Sequence, residues 1–453
     1  MARLTFAGGI FPYNGKELSR DQHIRNVPPP EGELFYPLQQ HIGAPAIPVV
    51  QIGEYVYAGQ MIARADGELS ANIFASVSGQ VVAIEMIRDI SDQPVECIVI
   101  RNDGQYQEVY YPENPDPSHM ARNEILAAIR DAGVVGLGGS GLPTHYKLMN
   151  ANPATMNTVI ANCVECEPYL TGDYRRILED PWKVIGGLAI CLSVFPKAKA
   201  IIAVSESNRE GYRLLRELLI NNPRIYVRQC KEKYPQGSER QLIHAITGRT
   251  LNAKMLPYEI GCMVLNTETL AAINQAVLMR EPLFTRIVTV SGEAAASPCN
   301  LRIRCGETYR DLLEQAGGLK RFCRENNTLF LAGGPLTGRE IVNLDAPVTK
   351  LTSGLVCLSK RSVQEQKETP CIRCRRCTQV CPNQIVPMQL IKDVRKSDKP
   401  AFVEHAGLEC CDCGCCSYVC PAKINLSEEI GAMKQECLQN SELAGQYARR
   451  YQS

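Results

Sequence analysis

The sequence predicts a protein of several domains, with mixed α and β structure followed by a cysteine-rich region that binds metal. Its 453 residues are enough for three or four domains. Segments with helical apolar spacing, such as "NEILAAIRDAG" at 123–133, are interspersed with short β-type runs, such as "TVIANCV" at 158–164. Ten of the 21 cysteines lie within residues 371–420. The last part of the chain therefore differs in chemistry from the rest.

The overall charge and hydropathy exclude several classes of protein. The chain has 49 Lys and Arg against 48 Asp and Glu, which gives no support for general nucleic-acid binding. The first twenty residues lack the apolar core of a signal peptide, and runs such as "VIGGLAICLSVF" at 184–195 are too short to cross a bilayer. We therefore expect a protein that is soluble or that reaches a membrane through a partner.

Two identical cysteine patterns, C-x2-C-x2-C-x3-C-P, stand in the C-terminal region. With an odd number of cysteines and no export signal, metal ligation is favoured over disulfides. This spacing is typical of paired four-iron clusters, in which the fourth cysteine of each motif ligates the other cluster. It predicts two [4Fe–4S] clusters, one held by Cys371, Cys374, Cys377 and Cys420, the other by Cys410, Cys413, Cys416 and Cys381. Zinc is the alternative, although its sites usually consist of two separated cysteine pairs.

Three arginines lie within the first motif, namely Arg373, Arg375 and Arg376. Their charge could raise the potential of the first cluster or dock an acidic electron donor. A solvated loop face explains them equally well.

A glycine-rich loop precedes the middle of the chain, in "AGVVGLGGSGLPTHYKL" at 132–148. It contains the spacing G-x-G-x-x-G at 136–141, which indicates a dinucleotide site only when it follows a strand and opens a helix. Here the preceding segment has helical spacing, so the strict dinucleotide fingerprint is not met. The loop can still bring backbone N–H groups to a phosphate, and Lys147 can supply a cation.

Two acidic residues, Glu165 and Glu167, follow the β-type run at 158–164. They indicate either a functional acidic turn or a solvated one. The segments "YPQGSERQL" at 234–242 and "GCMVLNTETL" at 261–270 add further polar groups between apolar stretches.

Taken in order, these motifs resemble the RnfC family, the C subunit of the Rnf membrane ferredoxin:NAD oxidoreductase complex. They also resemble the flavin- and NADH-binding subunit of respiratory complex I. The resemblance extends to "PLQQHIGAPAIPVVQIGEYVYAGQMIA" near the N-terminus and "TRIVTVSGEAAASPCNLRIRCGETYRDLLEQAGG" at 285–318. It implies a multidomain α/β and α+β chain with four parts: a barrel-sandwich hybrid domain (1–115), an FMN- and NADH-binding α/β domain (116–282), a β-grasp (SLBB) domain with linker (283–350), and an α-helical ferredoxin-like domain with two [4Fe–4S] clusters and a C-terminal helix (351–453).

The resemblance also implies roles for individual residues. The residues that would bind FMN and the nicotinamide nucleotide are Gly136, Gly138, Gly139, Lys147, Asn162, Tyr234, Gly237, Asn266 and Thr267. Three carboxylates, Glu165, Glu167 and Glu239, would position and tune the flavin and nicotinamide. No side chain needs to act as a nucleophile, because hydride transfer takes place between the cofactors.

The implied function is that of an oxidoreductase and translocase component, peripheral on the cytoplasmic side of the cell membrane. It would pass electrons between two [4Fe–4S] clusters, FMN and NAD(H). Its partners would be the integral-membrane and ferredoxin-like subunits of the complex and, indirectly, ferredoxin, but not nucleic acid. Two alternatives stay open: a cobalamin reductase of bacterial microcompartments, and a non-enzymatic electron-transfer scaffold. Leu142, where the family usually has Phe, is the feature that favours the scaffold.

Overall fold

A computed structural model describes residues 4–113, 119–360 and 367–439. The strands are β1 (Ile24–Asn26), β2 (Gly32–Pro37), β3 (Ile47–Pro48), β4 (Tyr55–Val56), β5 (Met61–Arg64), β6 (Ile73–Phe74), β7 (Gly79–Arg88), β8 (Pro94–Asn102), β9 (Thr158–Cys163), β10 (Lys199–Ser205), β11 (Ile225–Cys230), β12 (Cys262–Asn266), β13 (Thr285–Ser291), β14 (Cys299–Arg304), β15 (Thr328–Ala332), β16 (Arg339–Glu340) and β17 (Gly354–Ser359). The helices are α1 (Arg122–Asp131), α2 (Thr144–Met149), α3 (Gly172–Glu179), α4 (Pro181–Val194), α5 (Arg209–Leu218), α6 (Glu239–Thr247), α7 (Thr267–Asn274), α8 (Tyr309–Gln315), α9 (Arg376–Val380), α10 (Pro387–Arg395), α11 (Lys399–Glu404), α12 (Cys415–Tyr418) and α13 (Leu426–Gln439).

The N-terminal region contains two antiparallel sheets, ordered β2-β8-β7-β4 and β3-β5-β6. The long hairpin of β7 and β8 supplies the centre of the first sheet. Residues from both sheets, among them Leu34, Ile62 and Ile98, are fully buried in one shared core. Two small sheets that cover one apolar core account for the alternation of buried and exposed residues in this part of the chain.

The middle region is built on a four-stranded sheet, ordered β11-β10-β9-β12, in which every pair is parallel. Its strands are continuous apolar runs because helices cover both faces. Gly187 of α4 allows a close approach to α7, since a Cβ there would lie 1.9 Å from the Leu270 carbonyl oxygen. The direction of strand succession reverses between β9 and β12. Ligands of such sheets bind beyond the carboxyl ends of the strands at this point.

The third region is a six-stranded mixed sheet, ordered β1-β14-β13-β17-β15-β16. β13 and β14 form an antiparallel pair, β17 runs parallel to β13, and β15 runs antiparallel to β17. The sheet exceeds the predicted segment 283–350 at both sides, because β1 joins it from near the N-terminus and β17 follows residue 350. β17 belongs to the sheet because it lies between β13 and β15, where most of its residues are buried.

The cysteine-rich region is helical, with α9 to α13 packed around one apolar core that includes Leu390, Phe402 and Met433. Each cysteine motif forms a loop that leads into a short helix, α9 or α12. The predicted C-terminal helix is present as α13, and the part of that prediction beyond residue 439 lies outside the described residues.

The segment from residue 4 to residue 20 connects these regions. Leu4 forms a parallel bridge to Cys230 at the end of β11, and Ile10 forms an antiparallel bridge to Tyr234. Between them, the Gly9 N–H donates to the Val380 carbonyl at 2.8 Å. The N-terminal segment thus binds the parallel sheet and the cysteine-rich region together. In the described part of the chain, every helix is too short or too polar to cross a membrane.

Candidate functional site

A cavity of about 580 Å³ lies at the carboxyl ends of β9 and β12, where the strand order reverses. The glycine loop, the acidic turn after β9, the start of α7 and the edge of the six-stranded sheet surround it. The predicted site residues that line it are Gly138, Gly139, Asn162, Glu165, Glu167, Gly237 and Asn266. Segments far apart in the sequence therefore meet at one crevice.

The glycine loop follows α1 directly, which confirms that no strand precedes it. Gly136 closes the loop without lining the cavity: its N–H donates to the Leu142 carbonyl at 2.8 Å, and its own carbonyl accepts from Gly141 at 2.9 Å. A Cβ at Gly138 would lie 3.0 Å from Cβ of Asn266, so only glycine fits there without displacement. Gly139 has φ +94° and faces open space. Gly138 and Gly139 thus present bare backbone to the cavity.

Two asparagines lie at the carboxyl ends of β9 and β12. The Asn162 side chain donates to the Gly237 carbonyl at 2.8 Å. The Asn266 side chain caps α7 by accepting from the Glu268 N–H, and donates to Asp173 at 2.8 Å. Thr267 is fully buried and donates to the Asn162 carbonyl at 3.2 Å, so it supports the strand ends from behind the cavity.

Lys147 and Glu239 lie apart from this cavity. The Lys147 ammonium donates to Glu239 Oε1 at 2.6 Å and to the Val264 carbonyl at 2.8 Å. The pair joins α2 to α6, and neither side chain is among the residues that line the cavity. The structure therefore gives both residues a contact that the sequence did not predict.

The acidic turn after β9 is held by polar contacts on each carboxylate. Glu165, with φ 45°, accepts from the Asp173 N–H at 2.8 Å, and Lys16 donates to its backbone oxygen at 2.7 Å. Burial raises the pKa of Glu165, and the nearby Lys16 opposes that rise. Glu167 accepts from the Leu336 N–H at 3.3 Å and from the Thr337 hydroxyl, while burial raises its pKa. The turn is a built part of the site and not a solvated one.

Sequence reasoning missed several charged residues at the cavity, and three of them act on one another: Asp173, Glu268 and Arg286. Burial raises the pKa of Asp173 to about 8, and repulsion by Glu165 and Glu268 adds to the rise. Glu268 is paired with Arg176, whose Nε lies 2.5 Å from Oε1. No cysteine pattern or glycine spacing points to these residues.

Of these three residues, Arg286 says most about the kind of ligand that the cavity could bind. Its side chain is 2% exposed and donates to the carbonyls of Thr352 and Leu137, both at 3.3 Å. Its remaining Nη1 has no hydrogen-bond partner among the described residues. Burial lowers the pKa of this guanidinium. A buried N–H group without a partner, at the wall of a cavity, indicates a place for an anionic ligand.

A second cavity of about 260 Å³ lies on the other side of the acidic turn. It shares Glu165 and Cys166 with the first cavity and is also lined by Lys16, Ser205 and Tyr234. Tyr234, predicted to line the flavin cavity, faces this second one instead.

In the cysteine-rich region, one small cavity is lined by six cysteines, namely Cys381, Cys410, Cys411, Cys413, Cys415 and Cys416. Four of them, Cys381, Cys410, Cys413 and Cys416, are the residues predicted to hold the second cluster. Burial raises the pKa of the Cys410 and Cys416 thiols to about 12.

The other predicted set is divided, since Cys377 and Cys420 are buried whereas Cys371 and Cys374 are exposed. Within the described ranges, no group of three or more His, Cys, Asp or Glu side chains could hold a metal ion. A four-iron cluster does not require its ligands to converge on a single ion, because each thiolate binds a different iron atom.

Comparisons with known proteins place this site in a class. The family described as "Nuo51 FMN-binding domain" matches residues 129–275, and the family described as "RnfC Barrel sandwich hybrid domain" matches residues 4–105. The fold and the crevice thus define a flavin-binding protein with an N-terminal barrel-sandwich domain.

Three curated relatives are similar over most of their length. The C subunit of the proton-translocating ferredoxin:NAD(+) oxidoreductase complex of Clostridium ljungdahlii is 37% identical, over 85% of this chain and 83% of that protein. Its counterpart in the Na(+)-translocating complex of Acetobacterium woodii is 34% identical, over 85% of this chain and 86% of that protein. The C subunit of the ion-translocating oxidoreductase complex of Rhodobacter capsulatus is 37% identical, over 87% of this chain and 76% of that protein. The chain belongs to the RnfC family.

A crystal structure of an NAD+-reducing [NiFe]-hydrogenase in the air-oxidized state is a distant structural neighbour. It is 19% identical with a TM-score of 0.48, and the match covers 74% of this chain and 64% of the hydrogenase chain.

Proposed function

We propose that this chain is the NAD(H)-oxidising or NAD(H)-reducing subunit of an ion-translocating ferredoxin:NAD oxidoreductase complex. It would lie peripherally on the cytoplasmic side of the membrane and assemble with the integral-membrane and ferredoxin-like subunits. The observation that carries the proposal is the crevice at β9 and β12, where bare glycine backbone, polar strand ends and a buried arginine meet. Relatives named as the C component of such complexes support this reading over the cobalamin reductase.

The residues at the crevice fit FMN. Gly138 and Gly139 offer backbone for close approach, and the unpartnered Nη1 of Arg286 suits the phosphate. Asn162 and Asn266 can bond the ribityl chain or ring. Bound FMN supplies the exchange between two-electron hydride transfer and one-electron steps.

We assign Glu165 and Glu167 the role of positioning nicotinamide beside the flavin, because both line the cavity and both are fixed by hydrogen bonds. The second cavity, with Tyr234 on its wall, would admit part of NAD(H), since it opens on the same turn. Glu239, Lys147, Gly136 and Thr267 support the site from outside the cavity. These four are thus positioning residues in the proposal.

The six-stranded sheet is proposed to be the β-grasp (SLBB) domain, extended to β17. Its strand order from β14 to β16, the parallel pair β13 and β17, and the crossing helix α8 support this assignment. The helical region that follows is proposed to be the ferredoxin-type domain.

Two [4Fe–4S] clusters are proposed in that domain, with the ligand sets given above. The common cavity of Cys381, Cys410, Cys413 and Cys416 supports the second set. This set lies beside the flavin domain, because Cys415 Sγ is 3.9 Å from the Tyr234 carbonyl oxygen. In the first set, Cys371 and Cys374 are exposed, so this set reaches the surface on one side.

Anaerobic reconstitution with iron, sulfide and FMN tests the proposal. We expect about eight irons and one flavin per chain, from two four-iron clusters. NADH should bleach the flavin absorbance, produce a paramagnetic signal at low temperature and drive ferricyanide reduction. Stoichiometric zinc without iron would overturn the cluster assignment, and absence of NADH-dependent reduction would favour the scaffold alternative.

A further inference from the structure

One aromatic side chain in the region of the six-stranded sheet lies almost entirely in solvent. Phe322 is 94% exposed, which is the highest value among the large apolar side chains that the structure describes. It belongs to the connection between α8 and β15, whose sequence at 317–324 is "GGLKRFCR". Phe is among the residue types that proteins most often bury. The surroundings of Phe322 therefore decide whether its exposure has a function.

The backbone on both sides of Phe322 is held in place. The Lys320 N–H donates to the Ala294 carbonyl at 2.9 Å, and the Cys323 N–H donates to the Lys320 carbonyl at 2.7 Å. The side chains of Leu319 and Cys323 pack against the core of the sheet region. Because the neighbouring side chains are anchored in this way, the exposure of Phe322 follows from a fixed position and not from a loose loop.

Three exposed cations lie next to Phe322 in the sequence. They are Lys320, Arg321 and Arg324. None of them forms an ion pair with a residue in the part of the chain that the structure describes, and the adjacent carboxylate of Glu325 is bound by Arg310 at 3.0 Å instead. The positive charge beside the ring is thus uncompensated. We call residues 320–324 the cationic loop.

The size of the cationic loop indicates what can cover it. A stable protein–protein interface takes about 800 Å² and about 20–30 residues from each partner, whereas this loop has five residues. The apolar surface does not continue on its C-terminal side, because residues 325–327 are exposed and polar. A bilayer makes no such demand, since its phosphates bind each cation separately and its interface admits a single aromatic ring. These observations favour a lipid surface over a protein partner.

We propose that the cationic loop contacts the anionic headgroups of the membrane directly. Its three cations bind lipid phosphates, and Phe322 enters the interface between headgroups and acyl chains. The proposal rests on the proposed function, because it takes the chain to lie at the membrane surface within its complex. There the other subunits keep the loop close to the bilayer, so that a contact that is weak by itself fixes the orientation of the chain.

Vesicle binding of the reconstituted full chain tests the contact. The vesicles contain equal parts of phosphatidylglycerol and phosphatidylcholine, and bound protein is separated by sedimentation. We expect about tenfold weaker partitioning for F322S, and a loss of about tenfold or more for K320Q/R321Q/R324Q. Wild-type binding should vanish on vesicles of phosphatidylcholine alone. It should also weaken towards about 0.15 M salt, where charges are screened beyond about 8 Å.

A charge-matched control removes three cations elsewhere, in R64Q/K197Q/R209Q, whose residues are exposed on β5, before β10 and at the start of α5. It should bind anionic vesicles as the wild type does. Thermal unfolding midpoints should be equal in F322S and wild type, because the ring is exposed, so that unfolding does not explain the loss of binding. Equal partitioning of wild type and both loop variants, or an equal loss in the charge-matched control, would overturn the proposal.

The single tryptophan of the chain provides a probe of position. Trp182 is 59% exposed on α4, outside the cationic loop. In W182F/F322W the only indole lies in the loop. On anionic vesicles its emission should shift to the blue and be quenched by lipids with brominated acyl chains, whereas the emission of the wild-type chain should change in neither respect. The reverse result, or no change in W182F/F322W, would refute the loop as the point of contact.

Iron content and NADH-dependent ferricyanide reduction separate this proposal from the proposed function, and both should be equal in wild type and all variants. If no vesicle contact is found while NADH activity is normal, the membrane contact is refuted and the proposed function stands. If the loop binds vesicles in a chain that holds no iron and does not oxidise NADH, the contact stands and the proposed function fails.

Discussion

The carboxylates at the crevice beyond β9 and β12 repel one another. Asp173, Glu165 and Glu268 all lie at the cavity wall, and Arg176 neutralises Glu268 directly. Within the described part of the chain, Asp173 has no cation in direct contact, only the Asn266 amide at 2.8 Å. Its carboxyl therefore favours the protonated form near neutral pH.

This predicts a pH-dependent stability that the isosteric D173N substitution removes. Because the folded-state pKa is about 8 and the ordinary value is 3.8, the folded protein binds the proton more tightly than the unfolded chain. The free energy of unfolding should thus fall as pH rises from 4 to 8, with a slope below the single-proton limit of about 1.4 kcal/mol per pH unit. The thermal unfolding midpoints of the wild-type protein and D173N should be similar at low pH, and D173N should have the higher midpoint at pH 8. Parallel curves for the two proteins would contradict the prediction.

At the scale of single residues, the sequence predicted what short-range spacing can reveal. The proposed cysteine ligands were predicted from a repeat, and Glu165 and Glu167 drew attention by their place after a strand. Arg286 could not be predicted, because it reaches the crevice from β13, in a different sheet. Lys147 has the residue type of a phosphate ligand, but in the folded chain it is paired with Glu239. The two residues are far apart in the sequence, so this ion pair could not be predicted.

At the scale of single elements, the glycine loop presents its backbone to the cavity. Gly139 has a left-handed φ and faces open cavity, so an added methyl group costs backbone strain and occupies space proposed for FMN. We expect G139A to lower FMN affinity about tenfold or more while the fold is kept, measured by flavin fluorescence on titration of the apoprotein.

G67A is the matched control for this substitution. Gly67 has φ +82°, also faces open space and does not line the cavity. It should show the same small loss of stability and unchanged FMN affinity. Equal affinities in the two variants would show that the loop does not cradle the flavin.

Elements were predicted best where periodicity and chain order agree. The helical spacing at 123–133 gives α1, and the apolar run at 158–164 gives β9. The short helices α9 and α12 have too few residues for a periodic signal. Sheet membership was also hidden, because β1 has three residues and pairs with a strand far along the chain.

At the scale of the whole molecule, an ion pair fixes the cysteine-rich region to the flavin domain. Arg240 of α6 contacts Glu409 at 2.5 Å, and Glu409 also accepts from the Ala253 N–H at 3.2 Å. The two side chains are 22% and 10% exposed. Loss of Arg240 would remove this ion pair from a Glu409 side chain that is only 10% exposed, which weakens the contact between the two regions.

R240M should therefore loosen this interface and leave each region folded. We expect faster amide hydrogen exchange in residues 376–437 and slower reduction of the clusters by NADH, with flavin reduction unchanged. R310M is the control, because Arg310 pairs with Asp345 at 2.6 Å within the six-stranded sheet region. If R310M increases exchange in residues 376–437 as much as R240M, the interface is not the cause.

The sequence predicted an order of domains along the chain, but it did not predict the contacts between them. Motifs are local, whereas the contacts of Ile10 with Tyr234 and of β1 with β14 join distant segments. Only the folded chain brings these partners together.

The bond from Gly9 to Val380 has a consequence for biosynthesis. A ribosome adds about 5–20 residues per second, so the amino-terminal segment waits on the order of tens of seconds for its partner to emerge. The backbone bond from Gly9 can therefore form only after the regions between its two partners have been synthesised.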